Sequence, residues 1–152
     1  MNRRTLLALM LLPFAAYAQT TAQPELPKER LVVVTRDGAR HGFMVEMALQ
    51  PEQQTVGLMF RTGVPADGGM LFDWGTPRDS TMWMRNTVSS LDMLFINADG
   101  TIRRIAENTV PESLAIIESR GPVRATLELA AGTARRLDIR AGDKVEQRIF
   151  GR

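Results

Sequence analysis

Apolar residues along this chain recur mainly at every second position, in short runs broken by Gly, Asp, Asn and Pro. That is the pattern of β-strands joined by tight turns. Residues 31–35 form a β-branched run, and Asp37-Gly38 marks a hairpin. Beyond it His41, Phe43, Val45, Met47 and Leu49 fall on one face, and Arg40, Gly42, Met44, Glu46 and Ala48 on the other. Residues 51–61 carry a helix pattern instead. Pro51 suits the first helical position, Glu52 the positive end of the dipole, and Val56, Met59 and Phe60 share one face. Gly57 inside this stretch costs about 1 kcal/mol against alanine, so packing must require it. Gly63 is the expected stop.

Alternation then resumes after the turn Asp67-Gly68-Gly69, with Met70, Phe72 and Trp74 on one face. A polar loop is expected over residues 75–80. A short strand follows over 81–85, with Met82 and Met84 on one face and Trp83 on the other. Residues 91–96 are apolar on both faces except for Asp92, which predicts a central strand. A hairpin at 97–100 returns through residues 102–107. Residues 110–122 read as loop with a short regular piece at 114–117. Val123, Ala125, Leu127 and Leu129 then alternate with Arg124, Thr126 and Glu128 in a further strand. A helical turn is expected over 131–137 and a last strand over 144–149. Together these elements predict a mainly β, α+β fold: a small, mostly antiparallel barrel or sandwich of seven or eight short strands with one or two short helices.

The first eighteen residues follow a different logic. Asn2-Arg3-Arg4 is a basic start, residues 6–12 (LLALMLL) an apolar run too short to span a bilayer, and Ala16-Tyr17-Ala18 an A-x-A cleavage site. That order predicts a secretory signal over 1–18, a flexible polar leader over 19–30 and a single β-rich domain over 31–150. Arg3-Arg4 is compatible with either the general or the twin-arginine export route. Removing 1–18 takes two of the 19 basic residues and none of the 17 acidic ones, leaving 17 of each. The high pI of the full chain therefore gives no reason to expect nucleic acid as a partner. No later apolar run approaches the length of a membrane span, so a soluble periplasmic or secreted protein without stable membrane insertion is expected.

The chain has no cysteine, which excludes disulfides, thiolate metal sites and thiol nucleophiles. One histidine, and no G-x-S-x-G, P-loop, dinucleotide fingerprint or metal-spaced histidine pair, leave no catalytic residue, resident metal or cofactor to assign. Asp92 is the most informative polar residue, because a buried carboxylate needs a partner or takes up a proton. Arg85 and Asn86, or backbone N–H groups of residues 86–90, are the expected partners, and Glu128 is a second acid at a strand end. The first reading is a non-enzymatic domain that binds a small molecule, glycan or protein segment near Trp83, Arg85, Asn86, Asp92 and Glu128. Two others stay open. One is a hydrolase that pairs Asp92 with Glu128 or another acid. The other is Cu(I) binding by the soft thioethers of Met82 and Met84 with His41 or Met44.

Several blocks together resemble the domain of unknown function 192 family: GLMFR at 57–61, GMLFDW at 69–74, MWMRNTVSSLDMLFINADGTIRRI at 82–105, LELAAG at 127–132 and AGDKV at 141–145. Arg85 stands where that family commonly has lysine, which keeps the charge. Ser90 stands where it commonly has proline, which implies a less rigid approach to Asp92. The resemblance implies a small β-rich α+β domain and carries no reaction with it. The N-terminal pattern makes its own prediction. Intact-mass analysis of the exported protein should give a chain starting at Gln19 or its cyclised form, and recovery of Met1 in that fraction would sink the signal assignment.

Overall fold

A computed structural model describes residues 20–151, so the expected signal over 1–18 lies outside the described residues. Seven strands build one curled sheet: β1 (Lys28–Val34), β2 (Arg40–Ala48), β3 (Gly68–Met82), β4 (Leu91–Ile96), β5 (Ile102–Ala106), β6 (Ile117–Ala130) and β7 (Lys144–Glu146). Their order is β5-β4-β6-β3-β2-β1-β7. Every neighbouring pair is antiparallel except β2 and β3. The edges meet: Val145 N–H donates to Gly100 O at 2.7 Å and Ile102 N–H to Asp143 O at 2.8 Å. Two short helices, α1 (Pro51–Val56) and α2 (Thr133–Arg136), complete the mainly β fold that the alternation predicts.

The sheet has a core on each side. Leu31, Val33, Phe43, Val45, Leu71, Leu94, Ile102, Leu127 and Val145 come from all seven strands and fill the concave side. Met70, Phe72, Leu91, Met93, Phe95 and Val123 point the other way from β3, β4 and β6. There they are covered by Leu26, Leu58, Val64 and Met84. All six residues of β4 are buried as a result. Met84 is fully buried in this second core, beside Met70 and Phe72, and Met82 packs against it.

The structure departs from the sequence reading in several places. α1 stops at Val56 rather than at residue 61, because Gly57 takes φ 51° and its N–H closes on Gln53 O at 2.8 Å. A Cβ at Gly57 would stand 3.0 Å from the Phe72 ring, which is the packing reason for a glycine there. The expected loop at 75–80 lies inside β3, whose pairing with β6 continues past an irregularity between Asp73 and Arg78. β6 likewise starts at Ile117 instead of 123. A bulge with Arg120 at φ 57° and Gly121 at φ 134° accommodates Pro122, which has no N–H to pair. The last strand ends at Glu146, and a 3-10 turn, Arg148–Phe150, brings Phe150 into the concave core.

The leader expected over 19–30 is also corrected: residues 28–30 belong to β1, and the residues before them are tethered. The Gln23 side-chain amide donates to Gln53 O and Gly57 O, and Leu26 N–H donates to the Glu46 carboxylate at 2.8 Å. Glu46 in turn holds Arg61 through two bonds, at 2.6 and 3.0 Å, with both side chains largely buried. This pair fixes the segment after α1 against β2. Removing one member of such a pair leaves a buried charge uncompensated.

Asp92 is fully buried, as expected, but not through Arg85, Asn86 or the 86–90 loop. One carboxylate oxygen accepts from Asn108 N–H and the other from Ala134 N–H, both at 2.9 Å. Asp92 alternates with Leu91 and Met93 and so faces away from Arg85, toward the first turn of α2. Both oxygens are acceptors for backbone donors, so Asp92→Asn places an NH2 against one N–H. It should cost about 1–3 kcal/mol, and Asp92→Ala more. Urea unfolding of the two variants checks this, and wild-type midpoints for both would refute it.

Candidate functional site

The convex face of the sheet carries a row of residues on neighbouring strands: Met70 of β3, Glu128 of β6 and Met93 of β4. The next row is Phe72, Thr126 and Phe95. Glu128 is therefore a carboxyl set between two methionines on an apolar sheet face. Its strand lies close to β3 there, since a Cβ on Gly69 would stand 2.4 Å from Glu128 O. Beside Glu128 opens a cavity of about 590 Å³. α1 and the turn after it form one wall, the end of β3 and residues 82–87 the other, and the sheet the floor.

Glu128 is only 4% exposed, and its carboxyl has no hydrogen-bond or ion-pair partner among the described residues. Burial alone pushes its pKa from an ordinary 4.5 up to about 8. The aromatic wall is Phe72 and Trp74, with ring centres 5.7 Å apart, and the indole N–H of Trp74 donates to Thr126 Oγ1 at 3.2 Å. Arg78 stacks over Trp74 at 4.6 Å and Arg85 over Trp83 at 5.3 Å. Trp83 is 41% exposed at the mouth, and all four of these side chains line the cavity.

Backbone ties hold the mouth. Asn86 sits at φ 55°, a conformation asparagine tolerates, and its carbonyl accepts from Phe60 N–H at 2.8 Å. The two walls are thereby joined. Behind them Met84 N–H donates to Ser113 O and Glu112 N–H to Thr87 O, both at 3.0 Å. The resulting loop pair leaves Trp83, Val88, Val110, Leu114 and Ile116 exposed.

Of the residues singled out in the sequence, Trp83, Arg85, Asn86 and Glu128 line this cavity, and Asp92 lies on the other sheet face. Glu128 is the one carboxylate among the lining residues, so Asp92 supplies no second acid there. Met82 lines the cavity and Met84 lies in the core, whereas Met44 lines a separate cavity of about 220 Å³ with Arg30, Gly42, Phe43 and Asp67. His41 lines neither. The sequence reading missed Gln54, Trp74 and Arg78 as cavity residues. Two tryptophans each followed by an arginine was the available signal, hidden for Arg78 by the loop assignment.

Comparison with known proteins agrees with this picture of an uncharacterised domain. The model of the family DUF192, described as Uncharacterized ACR, COG1430, matches residues 32–147. No curated protein matches the chain. A solved structure from Sinorhizobium meliloti 1021, called a candidate transcription regulator, is 49% identical over 84% of this chain and 99% of its own, with a TM-score of 0.81. A protein of unknown function from Novosphingobium aromaticivorans DSM 12444 is 38% identical over 90% of this chain and 98% of its own, with a TM-score of 0.78.

The buried carboxyl predicts how stability responds to pH. Between about 4.5 and about 8 the folded state keeps a proton on Glu128 that the unfolded state has lost. Stability should therefore fall as pH rises through that window, by at most about 1.4 kcal/mol per unit from this group. Glu128→Gln should remove that slope and be more stable than wild type near pH 8. Urea unfolding at several pH values tests it, and parallel curves for the two proteins would refute it.

Proposed function

The chain belongs to the DUF192 family, and we propose that this member is an exported, non-enzymatic domain that binds a small molecule or glycan unit in the cavity beside Glu128. The observation that carries the reading is the Glu128 carboxyl, which has no protein partner among the described residues and lines an open aromatic cavity. A largely buried carboxyl with no protein partner is costly, and a ligand that hydrogen-bonds it offsets part of that cost. Trp74 and Trp83 offer flat apolar surface, Asn86 and Gln54 polar contacts, and Arg78 and Arg85 charge. The volume is in the range of small-molecule sites.

Export rests on the N-terminal pattern of residues 1–18. Among the described residues no helix is long and apolar enough to cross a membrane. Regulation of transcription, the role in the name of the S. meliloti protein, finds less support in this chain. Without residues 1–18 it has equal numbers of basic and acidic residues, and nucleic-acid binding draws its affinity from an excess of positive charge.

A thermal-shift screen of metals, Cu(I) included, sugars and cell-wall fragments tests the proposal. Ligand at a hundredfold excess over its Kd adds about 2.7 kcal/mol to the native state. The expected result is an organic ligand whose shift disappears in Trp83→Ala and shrinks in Glu128→Gln, while Asp92→Asn still responds. A ligand indifferent to both cavity variants would move the site elsewhere. One-to-one Cu(I) binding lost in Met82→Leu and Met84→Leu would replace this reading with a soft-metal site.

A further inference from the structure

Resting on the cavity as a binding site, we propose that its ligand is a small organic anion: a carboxylate, or a phosphate or sulfate ester, on a flat or ring-shaped apolar body. The first support is how the chain uses its arginines. Arg61 is paired with Glu46, Arg124 with Asp73, Arg40 with Glu146 and Arg148 with Glu29, each through two or more hydrogen bonds. Arg103 and Arg104 donate to backbone carbonyls instead, with Arg104 also lying over Phe95. At the cavity neither kind of acceptor is met among the described residues. Arg78 and Arg85 have no carboxylate partner among the described residues, and each lies over a tryptophan instead.

Stacking occupies the face of a guanidinium and leaves its N–H edge free. It also orders a long side chain in advance, so less entropy is lost when the fork closes on an anion. Two such forks at one cavity suit an oxyanion. A cation would meet both guanidiniums, and a neutral sugar would leave both unpaired.

The second support is the floor. Glu128 is the one acid among the lining residues. Its strand neighbours on the same face are Met70 and Met93, and the wall from α1 contributes Pro51, Gln54, Thr55 and Val56, so the charged groups lining the cavity with it are Arg78 and Arg85. Below about pH 8 the carboxyl is neutral. The cavity then carries two positive charges and no negative one, and the Glu128 O–H can donate to a hydroxyl or carbonyl on the ligand. Trp74, Trp83 and Phe72 supply the surface for the flat body.

The chain has two tryptophans, both at this cavity, so intrinsic fluorescence reports on it directly. Three probes share one ring and differ in charge: benzoate, benzylammonium and benzyl alcohol. Benzoate should saturate the fluorescence change at a concentration about tenfold below benzylammonium, a difference of about 1.4 kcal/mol. Arg78→Gln and Arg85→Gln should each weaken benzoate several-fold more than they weaken benzyl alcohol. Both arginines are exposed, and the unfolding midpoint of each variant verifies its fold. Raising the pH above about 8 should weaken benzoate in the wild type and not in Glu128→Gln. Equal or tighter binding of benzylammonium, or benzoate binding indifferent to both arginine variants, would overturn the anion inference and leave the cavity as a binding site. No saturable response to any of the three probes would overturn the cavity reading, and this inference with it.

Discussion

A sheet covered by apolar side chains on both faces leaves little water for polar groups on its central strands, and the rest of this structure follows from that constraint. β4 and β6 lie side by side in that dry layer, and each carries a carboxylate there. Asp92 pairs across the ladder with Leu129, one step from the Met93–Glu128 pair, so the two acids are near neighbours on opposite faces. Their solutions differ. Asp92 has a backbone donor for each oxygen and ties the 107–109 segment and α2 to the sheet. Glu128 has no donor among the described residues, and burial raises its pKa to about 8. One acid is used to hold the fold together, and the other is left with unused hydrogen-bonding capacity beside a cavity.

Much of the fold was legible because alternation survives wherever one sheet face is more polar than the other. The hairpin at Asp37-Gly38, the doubly apolar β4 and the shared face of Met70 and Phe72 all follow from it. The failures share a cause. The alternation of β6 reads Thr126 and Glu128 as a wet face, because a strand alone does not reveal what its neighbours bring. Only Met70 and Phe72 on one side, with Met93 and Phe95 on the other, make that face dry. Asp92 was correctly read as buried and wrongly partnered, since its donors come from residues 108 and 134, far from it in sequence. The stretch from 75 to 79 is polar because its residues are exposed, yet pairing with β6 keeps it in a strand.

Four of the five blocks that carry the family resemblance contribute to the cavity. Gly57 and Met59 come from the first, Phe72 and Trp74 from the second, Trp83, Arg85 and Asn86 from the third, and Glu128 from the fourth. The tie from Phe60 to Asn86 makes two of them one unit. Ser90, in place of the commoner proline, does not leave its loop loose. Its hydroxyl donates to Thr109 O at 2.6 Å, and Thr109 Oγ1 accepts from Leu91 N–H at 2.9 Å. Hydrogen bonding there replaces the stiffness that a ring would give.

The single parallel pairing, β2 with β3, has a topological consequence. Antiparallel neighbours can be joined by a two-residue turn, but parallel ones need a long crossover that returns the chain to the same end. Here that crossover is residues 49–67, and it contains α1 and the turn that make one wall of the cavity. A sheet with only antiparallel neighbours would have had no reason to carry such a segment. The wall is thus a by-product of strand direction, and side chains rather than ladder bonds tie it to the sheet: Gln54 donates to Ala48 O and Asp73 O, and Arg61 pairs with Glu46. Substitutions at positions of this wall that hold no such tie can reshape what the cavity admits while every strand register stays as it is.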